Sequence, residues 1–272
     1  MPVTQSAVFA ALHHTGTILA LPNPWDVTSA IILERCGYAA LGTTSAGIAF
    51  SLGYRDGEEL PFEELLTVVA AIVRKVSIPV SVDMESGYAS NLSGLTENIK
   101  KLIDAGVAGI NIEDDQKGAA GVNLYPIEEQ QKRIEAIRNT AIKADNGLFI
   151  NARTEIYLKK VPVDDPLGES IRRAEAFKQA GADGFFIPGI TDLETIKSVR
   201  SQVTLPINIL AAGPSISELQ AIGINRLSFG SLLYRHVYSE LKRSADAFQE
   251  TKDYSALLSS ALPYDRFMSG DF

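Results

Sequence analysis

Short apolar stretches recur along the chain, each ending in small or polar residues and giving way to a longer amphipathic segment. They are TGTILALP (15–22), YAALGTTS (38–45), IPVSVDME (78–85), AGINIED (108–114), GLFINART (147–154), DGFFIPG (183–189), LPINILA (205–211) and NRLSFGS (225–231). Between them the apolar period lengthens. In ENIKKLIDAG (97–106), Ile99, Leu102 and Ile103 form one stripe and Gly106 marks the stop. In ESIRRAEAFKQAGAD (169–183), Ile171, Ala174 and Phe177 recur at helical spacing and Gly181 closes the element. Eight strands alternating with helices predict an α/β fold: a closed parallel (β/α)8 barrel of the TIM type. One domain is expected over 1–272, with 232–272 as a C-terminal helical extension. The rival, a doubly wound open sheet, would place GxGxxG or GxxxxGK[ST] after the first strand, and neither occurs there.

In a barrel of this kind, polar residues at the strand C-termini face a common mouth. Strand parity sorts them. Ser81, Asp83 and Glu85 point inward from the third strand, Asn111 and Glu113 from the fourth, Asn151 and Arg153 from the fifth, and Asn208 from the seventh. The alternating residues Val82, Met84, Ile110, Ile112, Ile150 and Ala152 suit packing against outer helices. Asp83 and Glu85 on one face repel each other unless positive charge lies between them.

Composition narrows the partners. The formal net charge of −8 argues against nucleic acid and anionic membrane, which need a basic face, but leaves room for a small anion held by a few local cations. No apolar run approaches the ~20 residues of a membrane helix. The N-terminal MPVTQSAVFAALHH lacks a basic leader and is read as a short helix, and the lone Cys36 excludes an internal disulfide; a cytoplasmic protein is expected. Cys36, before Gly37 at a helix end, is expected to be a small buried residue. His13, His14 and His236 form no zinc pattern, and no nucleophile elbow is present. What remains is an all-oxygen cluster, Asp83, Glu85 and Glu113, in the style of a Mg²⁺ (or Mn²⁺) site. Such an ion beside an arginine suits a 2-oxo acid, whose enolate both cations stabilise.

The segments TTSAGIAFSLGYRDG (43–57), VDMESGYA (82–89), INIEDD (110–115) and INARTE (150–155) resemble the phosphoenolpyruvate mutase/isocitrate lyase superfamily, in order and over roughly residues 16 to 235. The resemblance implies a barrel whose last helix is often swapped between subunits, assembled as a homodimer or homotetramer, with a Mg²⁺-held enolpyruvate intermediate. By it, Asp83 contacts the metal, directly or through water, and Glu85 and Glu113 bind its waters; the superfamily commonly has Asp at the Glu85 position. Arg153 holds the substrate carboxylate and enolate oxygen. Ser45 and Ala46 cradle other carboxylate oxygens, and Asp56 lies near the metal waters. Asn151 and Asn208 join the substrate-binding set. Trp25, in PNPWD, either walls the pocket or is a core aromatic with Asp26 capping the next helix; both readings stand.

The chain departs from the pattern in DDQKGAAGVNLYP (114–126), where Gly118 and Gly121 suggest a closing loop. Isocitrate and methylisocitrate lyases carry K-[KR]-C-G-H there, and this chain has neither cysteine nor histidine in the segment. Three readings remain. The first is a Mg²⁺-dependent lyase or decarboxylase that cleaves a C–C bond of a small 2-oxo or 2-hydroxy carboxylate, such as oxaloacetate, through a pyruvate enolate. The second is a C–P mutase or hydrolase acting on phosphonopyruvate or phosphoenolpyruvate, with Lys117 and Asn123 holding the phosphoryl group. The third is a non-catalytic barrel that binds 2-oxo acids.

Overall fold

A computed structural model describes residues 4–117 and 123–270. In chain order it runs α1 (Gln5–Leu12), β1 (Leu19–Leu21), α2 (Val27–Arg35), β2 (Leu41–Gly42), α3 (Ser45–Ser51), α4 (Phe62–Val73) and β3 (Val80–Asp83). There follow α5 (Leu92–Asp104), β4 (Gly109–Glu113), α6 (Ile127–Lys143), β5 (Phe149–Arg153), α7 (Pro166–Gln179) and β6 (Gly184–Phe186). The remainder is α8 (Leu193–Gln202), β7 (Ile207–Leu210), α9 (Ile216–Ala221), β8 (Arg226–Ser228), α10 (Leu232–Thr251), α11 (Ser255–Ser260) and α12 (Tyr264–Ser269).

All strand pairs are parallel, in the order β1-β8-β7-β6-β5-β4-β3-β2, so the sheet curls into the expected (β/α)8 barrel. Its closing edge has a particular construction. Gly42 and Thr44 donate their N–H groups to the carbonyls of Pro22 and Pro24 (3.0 and 3.3 Å). Proline has no N–H to donate back, so the β1–β2 contact is bonded in one direction only. Asn23 supplements it. Its Nδ2 donates to the Thr43 carbonyl (3.1 Å), and its Oδ1 accepts the N–H groups of Phe229 and Gly230 (2.8 Å each).

The outward residues Val82, Met84, Ile110, Ile112, Ile150 and Ala152 are fully buried under the helices. Each large aliphatic contributes roughly 1.5–3 kcal/mol by leaving water. The helices match that surface with narrow stripes. In α5, Leu95, Ile99 and Leu102 are buried, Asn91 caps the start by accepting the Gly94 N–H (2.9 Å), and Gly106 (φ 86°) ends the turn. At the opposite end of the barrel from the strand C-termini, Phe9 of α1 plugs the interior, edge-on to Phe149 with ring centroids 5.4 Å apart. Gly109 makes room for this plug: a Cβ there would lie 2.9 Å from the Phe9 ring. His13 stacks on Phe149 (4.1 Å), and burial, reinforced by Arg226, pushes its pKa down to about 3.

One feature differs from the sequence expectation. Cys36 is exposed rather than buried, because it is the C-cap of α2 and Gly37 (φ 86°) turns the chain away at that point. Of the two readings of Trp25 the structure has the core aromatic: it is buried, packs edge-on against Tyr234 of α10 (5.3 Å) and borders an apolar groove between α2 and α10, not the barrel mouth. Its neighbour Asp26 caps α2, accepting the Ser29 N–H at 2.7 Å. Beyond β8, α11 and α12 contain no buried residue. Among the described residues no helix is long and apolar enough to cross a membrane.

Candidate active site

The strand C-termini open into a cavity of about 470 Å³. Its acidic wall begins where β3 ends at Asp83 and the chain turns left-handed at Glu85 (φ 48°), Gly87 (100°) and Tyr88 (53°). Non-glycine residues hold such angles only where their surroundings fix them. Here Glu85 Oε1 accepts both the Tyr88 hydroxyl and the Glu58 N–H, each at 3.0 Å. Gly87 admits no side chain, since a Cβ would meet Leu95 Cδ1 at 2.5 Å. The sequence DMESGY is therefore a tight reversal that locks Glu85 against the mouth.

Asp83 Oδ2 accepts the Ser45 hydroxyl (3.0 Å), which also lies 3.2 Å from Asp56 Oδ1. Burial, then Asp83 and Glu113, raise the Asp56 pKa above its ordinary value. Arg153 spans the acidic wall. Its two terminal nitrogens lie 3.5 Å from Asp83 Oδ1 and 3.3 Å from Glu113 Oε2, and its Nε donates to Glu155. Lys117 enters from the loop after β4, 2.6 Å from Glu113, 2.9 Å from Glu85 and 3.2 Å from Asp115. Lys159, after β5, joins Asp115 at 2.5 Å.

These contacts set the charges. Burial raises the Glu85 pKa to about 7; Lys117 opposes the shift, while Glu113 and Asp56 add to it. Burial works the same way on Glu113, but Arg153 and Lys117 overcome it and hold that carboxyl below its usual value. Burial also raises Glu155 to about 7 despite Arg153. Its Oε2 has no hydrogen-bond partner among the described residues. Lys117 remains an ammonium: burial lowers its pKa, yet the carboxylates of Glu113 and Glu85 raise it well above 10.5.

Beneath the cavity lies a polar floor. Asn111 Nδ2 donates to Asp83 Oδ1 (3.3 Å), and its Oδ1 accepts from Asn151 (2.9 Å) and from the buried Arg226 (3.3 Å). Asn208 accepts from Ser228 (3.1 Å). The cavity thus brings together Asp83, Glu85, Glu113, Arg153, Asp56, Lys117, Ser45 and Ala46. Asn151 and Asn208 support the floor without lining the cavity, and Asn123 and Trp25 also lie outside the lining. The glycines of the predicted closing loop, Gly118 and Gly121, fall outside the described residues. Sequence reading missed Glu155 and Arg235, which line the cavity together with Lys159. Only Glu155 carried a signal, as the residue two past Arg153 and so on the same strand face.

Among the described residues no three acidic, histidine or cysteine side chains close on one point as a direct metal cage. The donor set nevertheless fits a hydrated magnesium ion, which binds few carboxylates directly and retains several waters. The oxygen donors share one cavity, and the raised pKa of Glu85 marks a place where further positive charge is favourable.

The profile of the phosphoenolpyruvate phosphomutase family matches residues 9–249. The chain belongs to that family. Relatives within and around it include an uncharacterized protein of Mycobacterium tuberculosis, 34% identical with 83% of each chain covered. The 2-methylisocitrate lyase of Escherichia coli is 31% identical over 72% of this chain and 70% of its own. The oxaloacetate decarboxylase of Pseudomonas putida is 26% identical over 89% and 82%. Among solved structures, a phosphonomutase-like protein of Burkholderia cenocepacia is 34% identical with a TM-score of 0.84, covering 89% of this chain and 98% of that one. A phosphonopyruvate hydrolase solved with oxalate and Mg²⁺ has a TM-score of 0.88 over 98% and 95% of the two chains, at 20% identity, which is a likeness of fold. The relatives above 30% identity thus include a lyase and a phosphonomutase-like protein.

Proposed function

We propose that this family member is a magnesium-dependent carbon–carbon lyase or decarboxylase acting on a small 2-oxo or 2-hydroxy carboxylate of the oxaloacetate kind, with pyruvate formed through its enolate. The observation that carries this reading is the setting of Arg153. Its Nε is tied back to Glu155, which leaves the two terminal nitrogens between Asp83 and Glu113 at the cavity. A guanidinium fixed in that way presents a planar fork to a carboxylate.

Asp83 would hold the ion, with Glu85 and Glu113 holding its waters. When bound, magnesium supplies positive charge against oxygens that become negative during cleavage. The chain's own residues do the rest. Arg153 grips the substrate carboxylate and faces the enolate oxygen as charge develops on it. Ser45 and Ala46 border the same end of the cavity. Lys117 acts as a fixed charge and not as a proton donor, because its carboxylate partners hold the ammonium proton tightly. The carbon–phosphorus reading would have Lys117 and Asn123 hold the phosphoryl group, but Lys117 is engaged by Glu85 and Glu113 and Asn123 lies outside the cavity lining. That supports carbon–carbon over carbon–phosphorus cleavage.

The test is pyruvate release from oxaloacetate, phosphonopyruvate, methylisocitrate and alkyl-substituted malates, with and without a chelator. Asp83→Ala serves as the blank, since free metal ions decarboxylate oxaloacetate unaided. Chelator-sensitive release from a carbon–carbon substrate, absent in the variant, is the expected result. Release from phosphonopyruvate alone would overturn the reading, as would oxalate binding with magnesium that Asp83→Ala leaves undiminished.

A further inference from the structure

The cavity is lined by the cations Lys117, Arg153, Lys159 and Arg235. Lys117 and Arg153 are bonded to carboxylates of the same cavity, and Lys159 to Asp115 just outside its lining. Arg235 is different: its guanidinium forms no ion pair or hydrogen bond among the described residues. It stands in the first turn of α10, immediately after β8. In the ring of strands β8 lies four places from β4 and three from β5. Arg235 therefore rises on the side of the mouth opposite the wall that carries Glu113, Lys117 and Arg153. Gly230 and Ser231, at the start of the same 20-residue helix, line the cavity beside it.

Arg235 has no acidic partner among the described residues, and the five carboxyl groups of the cavity (Asp56, Asp83, Glu85, Glu113, Glu155) come from β3, β4 and the segments that follow β2, β3 and β5. A ligand with one anionic end uses Arg153 and leaves Arg235 idle. A ligand with two anionic ends uses both. We propose that Arg235 is a specificity residue that receives a second anionic group, the far carboxylate of a dicarboxylic substrate whose near end lies on Arg153. This rests on the reading of the cavity as a 2-oxo or 2-hydroxy acid site. The pairing acts on binding. Where the far carboxylate departs as neutral carbon dioxide, Arg235 stabilises the ground state and not the transition state, so it lowers KM without raising kcat.

The experiment compares the full-length chain with Arg235→Gln and Arg235→Lys, by calorimetry with magnesium present. Oxalate probes the near end alone, and 3,3-difluorooxaloacetate probes both ends. Arg235→Gln is expected to weaken 3,3-difluorooxaloacetate by about ten- to a hundredfold, as for loss of a charge-assisted hydrogen bond, and to leave oxalate within about twofold. Arg235→Lys should restore part of the loss. In turnover of oxaloacetate, Arg235→Gln should raise KM while kcat holds or rises. Equal affinities in wild type and Arg235→Gln would overturn the inference. A parallel fall for both probes, or a fall in kcat with unchanged KM, would do the same by assigning Arg235 a structural role. Failure of the wild-type chain to bind either probe would remove the 2-oxo acid reading and this inference together. Arg235-dependent binding and cleavage of phosphonopyruvate alone would keep Arg235 as the reader of a second anion while removing the carbon–carbon reading.

Discussion

Lys117→Met is the perturbation that most directly tests the electrostatics of the mouth. The ammonium sits 2.6 Å from Glu113 and 2.9 Å from Glu85, and both carboxylates are almost wholly buried. Deleting one partner of a buried pair costs about 3–5 kcal/mol when the other charge cannot leave. Glu85 has an escape, because its pKa already stands at about 7 and rises further once Lys117 is gone. A carboxyl whose folded pKa is raised binds more protons folded than unfolded between roughly 4.5 and its folded value. Stability therefore falls as pH rises through that window. At pH 5.5 Glu85 is protonated and the ionised Glu113 keeps Arg153 as a partner (3.3 Å), so the variant should lose only about 1.5–3 kcal/mol, the worth of the charged hydrogen bonds. At pH 8.5 it should lose the full ~3–5 kcal/mol. The ammonium's own titration, well above pH 10, does not enter this range. Urea unfolding of metal-free wild type and variant at the two pH values reads the difference. Equal losses at both would refute the assignment of Glu85 as the group that responds.

Two further outcomes are expected. Arg153→Lys should lower pyruvate release by about a hundredfold and weaken oxalate in parallel, because an ammonium cannot replace the fork; native-like turnover would make Arg153 structural. Arg173→Met should cost about 3–5 kcal/mol, since Arg173 bonds the buried Asp114 (3.0 Å) and the Tyr125 carbonyl (3.0 Å), one on each side of the loop that carries Lys117. At about 2–4 °C per kcal/mol, a Tm drop of about 6–20 °C should follow, and a shift below 2 °C would contradict the pairing.

The barrel and much of its mouth were legible in the sequence because both rest on periods. Alternation alone separated Asp83, Asn111, Glu113, Asn151 and Arg153 from Val82, Ile110, Ile112, Ile150 and Ala152, and the register Asn111↔Asn151, Glu113↔Arg153 keeps them in layers. The reading weakened where the backbone stops being periodic. Glu85 reaches the mouth through a left-handed turn and not as a continuation of β3. Arg235 lies on a helix, where composition does not reveal which side chain tilts toward a cavity. Trp25 follows a proline-bound segment whose exit direction parity does not fix, and it went to the groove under α10. The positive charge demanded by the paired acids was visible as a need that an ion and Arg153 could meet, but not that Lys117 also meets it, between Glu85 and Glu113.

The proline-edged contact between β1 and β2 bears on how the mouth can breathe. Seven junctions of the ring are ladders, and the eighth hangs on two one-way bonds and the amide of Asn23. Strain applied to such a ring concentrates at its weakest joint. Asn23, Thr44 and Ser45 stand beside that joint and line the cavity, whereas Glu113 and Arg153 stand on its best-laddered side, where β4 and β5 pair over five residues. The barrel thus joins a densely bonded side that fixes the charges to a sparsely bonded rim beside the same cavity, and two prolines decide which side is which.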